Sequence, residues 1–515
     1  MLNFKTISMK TIKNSIIIAS LFFAMTGCDE GFEKLNTNPY AVTSLDPSLL
    51  FAESQRLTPV GTWTGESTVV QQFVLAYDTG ATSGFNFNDD TDNLNNDTWD
   101  SYTESVKLIT QALVNVENKP ERANLYNMLR IWKSYIFMNL VDAYGDVPYT
   151  QAGKAFLEGN YTPVYDDDAA IYEDLYTELK SATTALNPSG DIVASDLFYK
   201  GDIDKWKKLG NSILLRLGMR YSKLDPNKAK SIVTEAVAGG VMQSNADDAI
   251  LKFNALFITP PNEAIRAQNP YTFYVAEPIV NQFKATDDPR STYLVGKYAD
   301  PNLVLASNPD TTIANQFGFP VGYDSESVKA NPSYRGTNAS GLNYSQLNYN
   351  AIASALAPIF LVTNSQTKLL LAEATARGWI TTEGTAQSLY EAGIIASMNQ
   401  YSLYPGGYGA ISVADQNNYI SHPNVAYNTA NALRLINTQY WISNFGYSME
   451  AFANFRRTEL PALTPNNYNN NLNGGFVRRF SYPDVESSRN SKNFADASAA
   501  IGGDVLTSRV FWDIP

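Results

Sequence analysis

Residues 132–152 read WKSYIFMNLVDAYGDVPYTQA. Apolar positions recur at helical spacing up to Tyr144, and the run stops at Gly145 with Pro148 just beyond. Glycine past a last turn supplies the left-handed cap and proline prevents continuation, so the stretch predicts a long helix with a sharp end. The same period runs upstream through Leu125, Leu129, Trp132 and Ile136, and before that through Val106, Ile109, Leu113 and Val116. Downstream it returns in Ile171, Leu175, Leu179, Ala182 and Leu186, then in Trp206, Leu209, Ile213 and Leu217. Further helices are expected at 364–378, 384–401 and 428–445. Adjacent antiparallel helix pairs of this length predict a mainly α fold with tetratricopeptide-like packing.

The segments between these helices have a different chemistry. Residues 78–98 (DTGATSGFNFNDDTDNLNNDT), 298–350 and 466–475 are rich in Gly, Asn and other polar residues, with little periodicity. Loops this long inside a compact domain are usually functional or disordered. No linker divides two apolar cores, so residues 46–515 read as one domain with loop excursions.

The N-terminal end addresses the chain to an envelope. Lys5, Lys10 and Lys13 precede the apolar run Ile16 to Phe23, and Ala24-Met25-Thr26-Gly27 leads to Cys28. That run is too short to span a bilayer and has the form of a secretory signal over residues 1–27. Gly27-Cys28 is the junction of a bacterial lipobox, in which the thiol receives diacylglycerol. Cys28 is the only cysteine, so lipidation accounts for it and no intrachain disulfide can form. Residues 28–45 then read as a tether that opens with the acidic Asp29, Glu30 and Glu33. A net charge of −13 opposes contact with nucleic acid or anionic head groups, leaving the acyl anchor as the membrane-binding device.

Several short segments punctuate the chain in a fixed order: Asn36-Thr37-Asn38-Pro39, the 132–152 stretch, Asn211-Ser212 with LLRLGMR at 214–220, and Asp288-Pro289-Arg290. AEATARGW (372–379), LYEAGIIASM (389–398), EAFANFRRTELP (450–461) and RRFSYPDVESSRN (478–490) complete the set. This order and spacing resembles the SusD/RagB family of nutrient-binding outer-membrane lipoproteins, in its SusD-like branch, over roughly residues 28–515. Phe452 is a departure, since an indole is more usual beside the Arg456-Arg457 pair. The resemblance implies a right-handed tetratricopeptide-like scaffold with a loop-rich ligand-binding half laid against it. It also implies a SusC-like TonB-dependent barrel transporter as partner, an outer-membrane location facing outward, and an oligosaccharide or peptide as ligand.

The residues themselves offer little for catalysis. His422, the single histidine, sits before Pro423 in a polar turn, with no nucleophile motif nearby. Glu373 and Glu450 fall in scaffold helices, and Glu450 is expected to pair with Arg456. The dibasic pairs Arg456-Arg457 and Arg478-Arg479 are expected to tie the C-terminal segment to the scaffold through carboxylates. Zinc ligands are lacking. Asp89, Asp90, Asp92, Asn95, Asn96 and Asp97 could surround Ca²⁺, but Leu94 falls on a ligand position of the EF-hand pattern, so no cofactor is expected.

Binding is better provided for. The chain holds 31 Tyr, 25 Phe and 49 Asn, a composition suited to polar, uncharged ligands. Sugar rings pack their C–H faces on aromatic planes while amides bond the hydroxyls. Phe85, Asn86 and Phe87 in the first loop, and Tyr323 and Tyr334 in the second, are the candidate contacts; Trp99 and Tyr102 are expected to fill a packing face instead. Two classes of function stand: a non-enzymatic capture protein for an oligosaccharide or peptide, and a tetratricopeptide-type scaffold that binds only proteins.

Overall fold

The computed structural model describes residues 45–76, 86, 88–91, 96, 98–267, 269–466, 470–472 and 474–515. The long helix expected through 132–144 extends from Ala123 to Tyr144 and ends where Gly145 takes φ +77°, its N–H donating to the Val141 carbonyl. Nearly every residue from Leu125 onward is buried, as befits a helix with neighbours on all sides.

With that helix as α3 (Ala123–Tyr144), the main scaffold helices are α1 (Pro47–Arg56), α2 (Ser105–Val116), α4 (Asp168–Ala185), α5 (Ile203–Arg220), α6 (Pro226–Gly239), α7 (Glu277–Thr286), α8 (Asn364–Ala376), α9 (Ala386–Gln400), α10 (Ala432–Ser443) and α11 (Ser448–Thr458). Local chemistry sets their starts. Asp167 caps α4 by accepting the Ala170 N–H, Asp225 caps α6 with Pro226 at its first position, and Thr363 and Gln366 form a reciprocal capping box on α8. Neighbours in sequence pack as pairs, α5 on α6 and α8 on α9, while α3 packs on α4 and α4 on α5. This is the helical, tetratricopeptide-like scaffold that the apolar spacing predicts. Pro47–Pro515 forms one compact unit around a continuous apolar core that includes Trp132 and Trp206. Trp132 stacks on Tyr135 at 4.5 Å, and Trp206 meets Phe51 at 5.7 Å.

Short antiparallel ladders tie the excursions down: β1 (Phe73–Leu75) with β3 (Phe273–Val275), β2 (Ala249–Leu251) with β6 (Ile359–Val362), and β4 (Val295–Gly296) with β5 (Gln346–Leu347). Residues 298–350 are therefore folded rather than a structureless loop. They contain 3₁₀ turns at Pro301–Leu303, Ile313–Asn315 and Ser327–Ala330, and they bury Gln316, Ser345, Gln346 and Asn348.

Among the described residues six arginines are fully buried: Arg216, Arg220, Arg290, Arg456, Arg457 and Arg479. Arg220 joins Asp142 of α3 (3.0 Å) to Glu450 of α11 (2.6 Å). Arg457 grips Glu373 of α8 with two 2.7 Å bonds. Burial alone would raise the Glu373 carboxyl, but Arg457 and Arg377 outweigh it and hold it at about 2. The expected Glu450–Arg456 pair is corrected: Glu450 bonds Arg220, and Arg456 donates to the carbonyls of Arg478 (2.7 Å) and Asp142 (2.5 Å). Residues six apart on a helix do not share a face. Of the dibasic pairs, Arg478 and Arg479 bond Asp513 and Asp504 of the C-terminal segment, whereas Arg457 ties α11 to α8. Phe452, where an indole is more usual, has its ring centroid 3.8 Å from the Arg456 guanidinium and stacks on Phe480.

Candidate ligand-binding surface

Three polar segments distant in sequence meet at Asn86. Its side-chain amide donates to the Tyr323 carbonyl at 2.9 Å and accepts the Gly322 N–H at 2.9 Å. Its own carbonyl accepts from the Asn466 amide at 2.9 Å. Beside it, Asn88 donates to Asn470 at 2.8 Å. The base of the first loop is pinned as well: Ala76 donates to the Thr272 carbonyl, and Ser325 donates to the Ala76 carbonyl, both at 3.0 Å. An asparagine can satisfy several backbone groups at once, which is why one residue can tie three distant segments together.

Asn86 is therefore a buried staple, 1% exposed, rather than a group facing solvent. Tyr323 comes directly onto it through its backbone. Tyr334 lies beyond the Ser327–Ala330 turn, half-buried against the core as Tyr323 is. Phe85 and Phe87, which flank Asn86 in the chain, lie outside the described residues, as does Cys28. Trp99 and Tyr102 do fill packing positions: Trp99 sits 5.1 Å from Tyr144 and 4.9 Å from Tyr102, in a cluster with Tyr165 and Tyr482.

The partners of the staple escaped sequence reasoning. Gly322 takes φ +83°, and a Cβ there would run into the Asn466 amide, so the position needs glycine on two counts. A glycine inside the GFPVGYD stretch was the one available signal.

Other chemistry is weakly supported among the described residues. His422 occupies a turn, its Nδ1 accepting the Asn424 N–H at 3.2 Å. Asp90 accepts from Ser481 at 2.7 Å and Asp89 from Asn471, while Asp92, Asn95 and Asp97 lie outside the described residues. Asp146, Asp167 and Asp168 bring carboxylate oxygens within 4.8 Å of one another at the start of α4, where Asp146 accepts the Asp168 N–H. A cleft lined by Trp63, Phe360, Tyr401, Tyr404 and Phe445 encloses only about 20 Å³, room for a water and not for a sugar ring. No helix among the described residues is long and apolar enough to cross a membrane.

Comparison with known proteins decides the family. The SusD-like family described as "starch-binding associating with outer membrane" matches residues 39–483. The chain belongs to that SusD-like family. Solved structures agree with this SusD-like fold. A chitin-binding protein is 27% identical with a TM-score of 0.77, covering 91% of this chain and 100% of its own. A Bacteroidetes SusD-like protein, AC2a, is 25% identical with a TM-score of 0.78, covering 92% and 100%. A chitin-binding SusD homologue from Flavobacterium johnsoniae, 23% identical over 91% and 98%, shares the fold with a TM-score of 0.72. Curated proteins offer no match to the sequence.

Proposed function

We propose that this SusD-like protein captures an oligosaccharide on the surface closed by Asn86 and delivers it, intact, to a SusC-like TonB-dependent transporter in the outer membrane. The observation that carries the reading is the convergence of three polar segments on the buried Asn86, which holds Gly322, Tyr323 and Asn466 in one place. A surface organised in this way can present aromatic faces to C–H faces of sugars and amides to hydroxyls. Membership of a family described as starch-binding supports a saccharide, as does the likeness to a chitin-binding protein. The protein acts as a binder and not a hydrolase: Glu373 and Glu450 are buried against arginines, and neither faces a groove where a sugar could lie. It sits on the outer face of the membrane through lipid on Cys28.

Calorimetry of the chain beginning at Cys28, against maltohexaose and chitohexaose, tests the capture surface. Phe85→Ala combined with Phe87→Ala removes two ring contacts of about 1 kcal/mol each, a loss of up to roughly thirtyfold in affinity. Unchanged affinity in the double variant, or release of shorter sugars by the purified protein, overturns the reading.

A further inference from the structure

In a chain of net charge −13, three cations gather on one aromatic ring. The Lys284 ammonium stands 4.6 Å from the Phe317 centroid, Lys297 stands 5.0 Å from it, and the Arg335 guanidinium 4.4 Å. The three come from separate elements. Lys284 is on α7, Lys297 follows β4, and Arg335 is next to Tyr334 in the second loop. Lys284, Lys297 and Phe317 are half-buried and Arg335 is exposed, so the group opens to solvent.

The arrangement is built, not incidental. The Phe317 N–H donates to Ser345 Oγ at 2.8 Å and its carbonyl accepts the Ser345 N–H at 2.7 Å. Ser345 Oγ in turn donates to buried Gln316 at 2.7 Å. Lys297 is set by paired backbone bonds with Asp310, and Lys284 donates to the Ala314 and Gln316 carbonyls at 3.1 and 2.9 Å. The electron-rich ring face attracts each cation and offsets part of their mutual repulsion. That repulsion is still felt: burial, then Arg335 and Lys297, push the Lys284 ammonium down.

No carboxylate among the described residues forms an ion pair with any of the three. The two acids within electrostatic reach are otherwise disposed. Asp310 accepts the Thr312 N–H at 2.8 Å and the Asn315 amide at 2.7 Å in a turn, and, against burial, Lys297 helps to hold its carboxyl down without a direct ion pair. Burial raises the Glu277 carboxyl against the pull of Arg335, and no direct ion pair joins the two. Elsewhere the arginines find carboxylates readily, Arg220, Arg457 and Arg478 among them. A cluster of like charges with no direct ion pair in an acidic protein is relieved by binding an anion, and a guanidinium beside ammonium groups suits a carboxylate or a sulfate.

We propose that Lys284, Lys297 and Arg335 around Phe317 form a subsite for the acidic group, carboxylate or sulfate, of an acidic oligosaccharide. Its saccharide part rests on the capture reading above, since Arg335 adjoins Tyr334 in the second loop. The subsite makes local the attraction that the overall negative charge denies to an anionic chain.

The test uses the chain beginning at Cys28 and three probes: hexagalacturonate for carboxylate, a carrageenan hexasaccharide for sulfate, and neutral maltohexaose as reference. Binding of at least one acidic probe more tightly than the reference, weakened by raising salt, is expected. Lys297→Ala with Arg335→Ala then lowers the acidic-to-neutral affinity ratio about tenfold or more, because two charge-assisted contacts are lost. Lys284 is left in place because it also ties two carbonyls. Lys297→Gln with Arg335→Gln, which keeps the aliphatic stems, gives the same loss if charge is responsible. Acidic probes bound no better than the reference, or an unchanged ratio in both variants, overturn the subsite. Reference binding that falls with the Phe85 and Phe87 substitutions, beside no acidic preference, removes the subsite and leaves the capture surface standing. Acidic binding that ignores those substitutions removes the capture surface and keeps the subsite, and binding of no saccharide at all removes both.

Discussion

Asp168 opens α4 in a crowded place. Burial, against a hydrogen bond from the Phe511 N–H and with repulsion from Asp146, pushes its carboxyl up to about 7. An unfolded Asp titrates near 3.9, so the folded state binds the proton more tightly. The resulting stability is fully present below about pH 4 and is lost as pH rises through 7, a contribution of roughly 2–4 kcal/mol. The thermal midpoint should therefore fall between about pH 5 and pH 8. Asp168→Asn should flatten that fall by a few degrees, because its amide oxygen still accepts from Phe511. Parallel melting profiles for the two proteins across that range would refute the assignment. Asn86 acts at the same scale in another way: buried itself, its side chain and carbonyl tie Gly322, Tyr323 and Asn466 together.

At the scale of elements, helices far apart in sequence are fastened by buried ion pairs. Glu373 and Arg457 lock α8 to α11, and Arg220 locks α5 to both α3 and α11. A buried pair gains little over an apolar isostere, but breaking one side strands a charge in the interior at a cost of about 3–5 kcal/mol. Glu373→Ala should lower the urea midpoint accordingly. Glu373→Met combined with Arg457→Met should cost less than the sum of the two single changes, since neither charge is then stranded. A single substitution that costs under about 1 kcal/mol, or strict additivity, would mean that the pair does not hold the helices. The Glu373 contribution has the opposite pH sense to that of Asp168. With a folded value of about 2 it is complete above the ordinary range near 4.5 and fades as pH falls toward 2. Stability should accordingly peak in mildly acidic solution.

For the whole molecule, a helical scaffold carries folded excursions, and three polar segments meet at Asn86. The excursions are secured by ladders of two or three residues and by single side chains such as Asn86 and Gln316, so the scaffold keeps its core while its loops differ in chemistry. The proposed attachment to the membrane is a separable property. Cys28→Ala, exported and processed, should move the protein from the membrane pellet to the soluble fraction in cells lacking the transporter, because two acyl chains suffice for stable anchoring. An alanine variant that still sediments with membranes there would mean that another surface binds lipid.

The helical scaffold was legible because its signals are local. Apolar spacing, Asp and Thr caps, and the Gly145 stop act within a turn or two of the residues that carry them, so α3, α4 and α5 could be read from order alone. The ordered segments from Asn36 to Asn490 likewise sufficed to indicate the family. Ion-pair partners were not legible: Glu450 pointed by proximity to Arg456 and bonds Arg220 instead, 230 positions away. Nor was the meeting of residues 86, 322 and 466, or the gathering of Lys284, Lys297 and Arg335 on Phe317. Short-range periodicity is written along the chain, whereas a hydrogen bond or a charge cluster depends on which surfaces the packed core brings within about 3–6 Å of each other. The sequence by itself determined the helices and the family, and only the packed core decided which polar side chains share a surface.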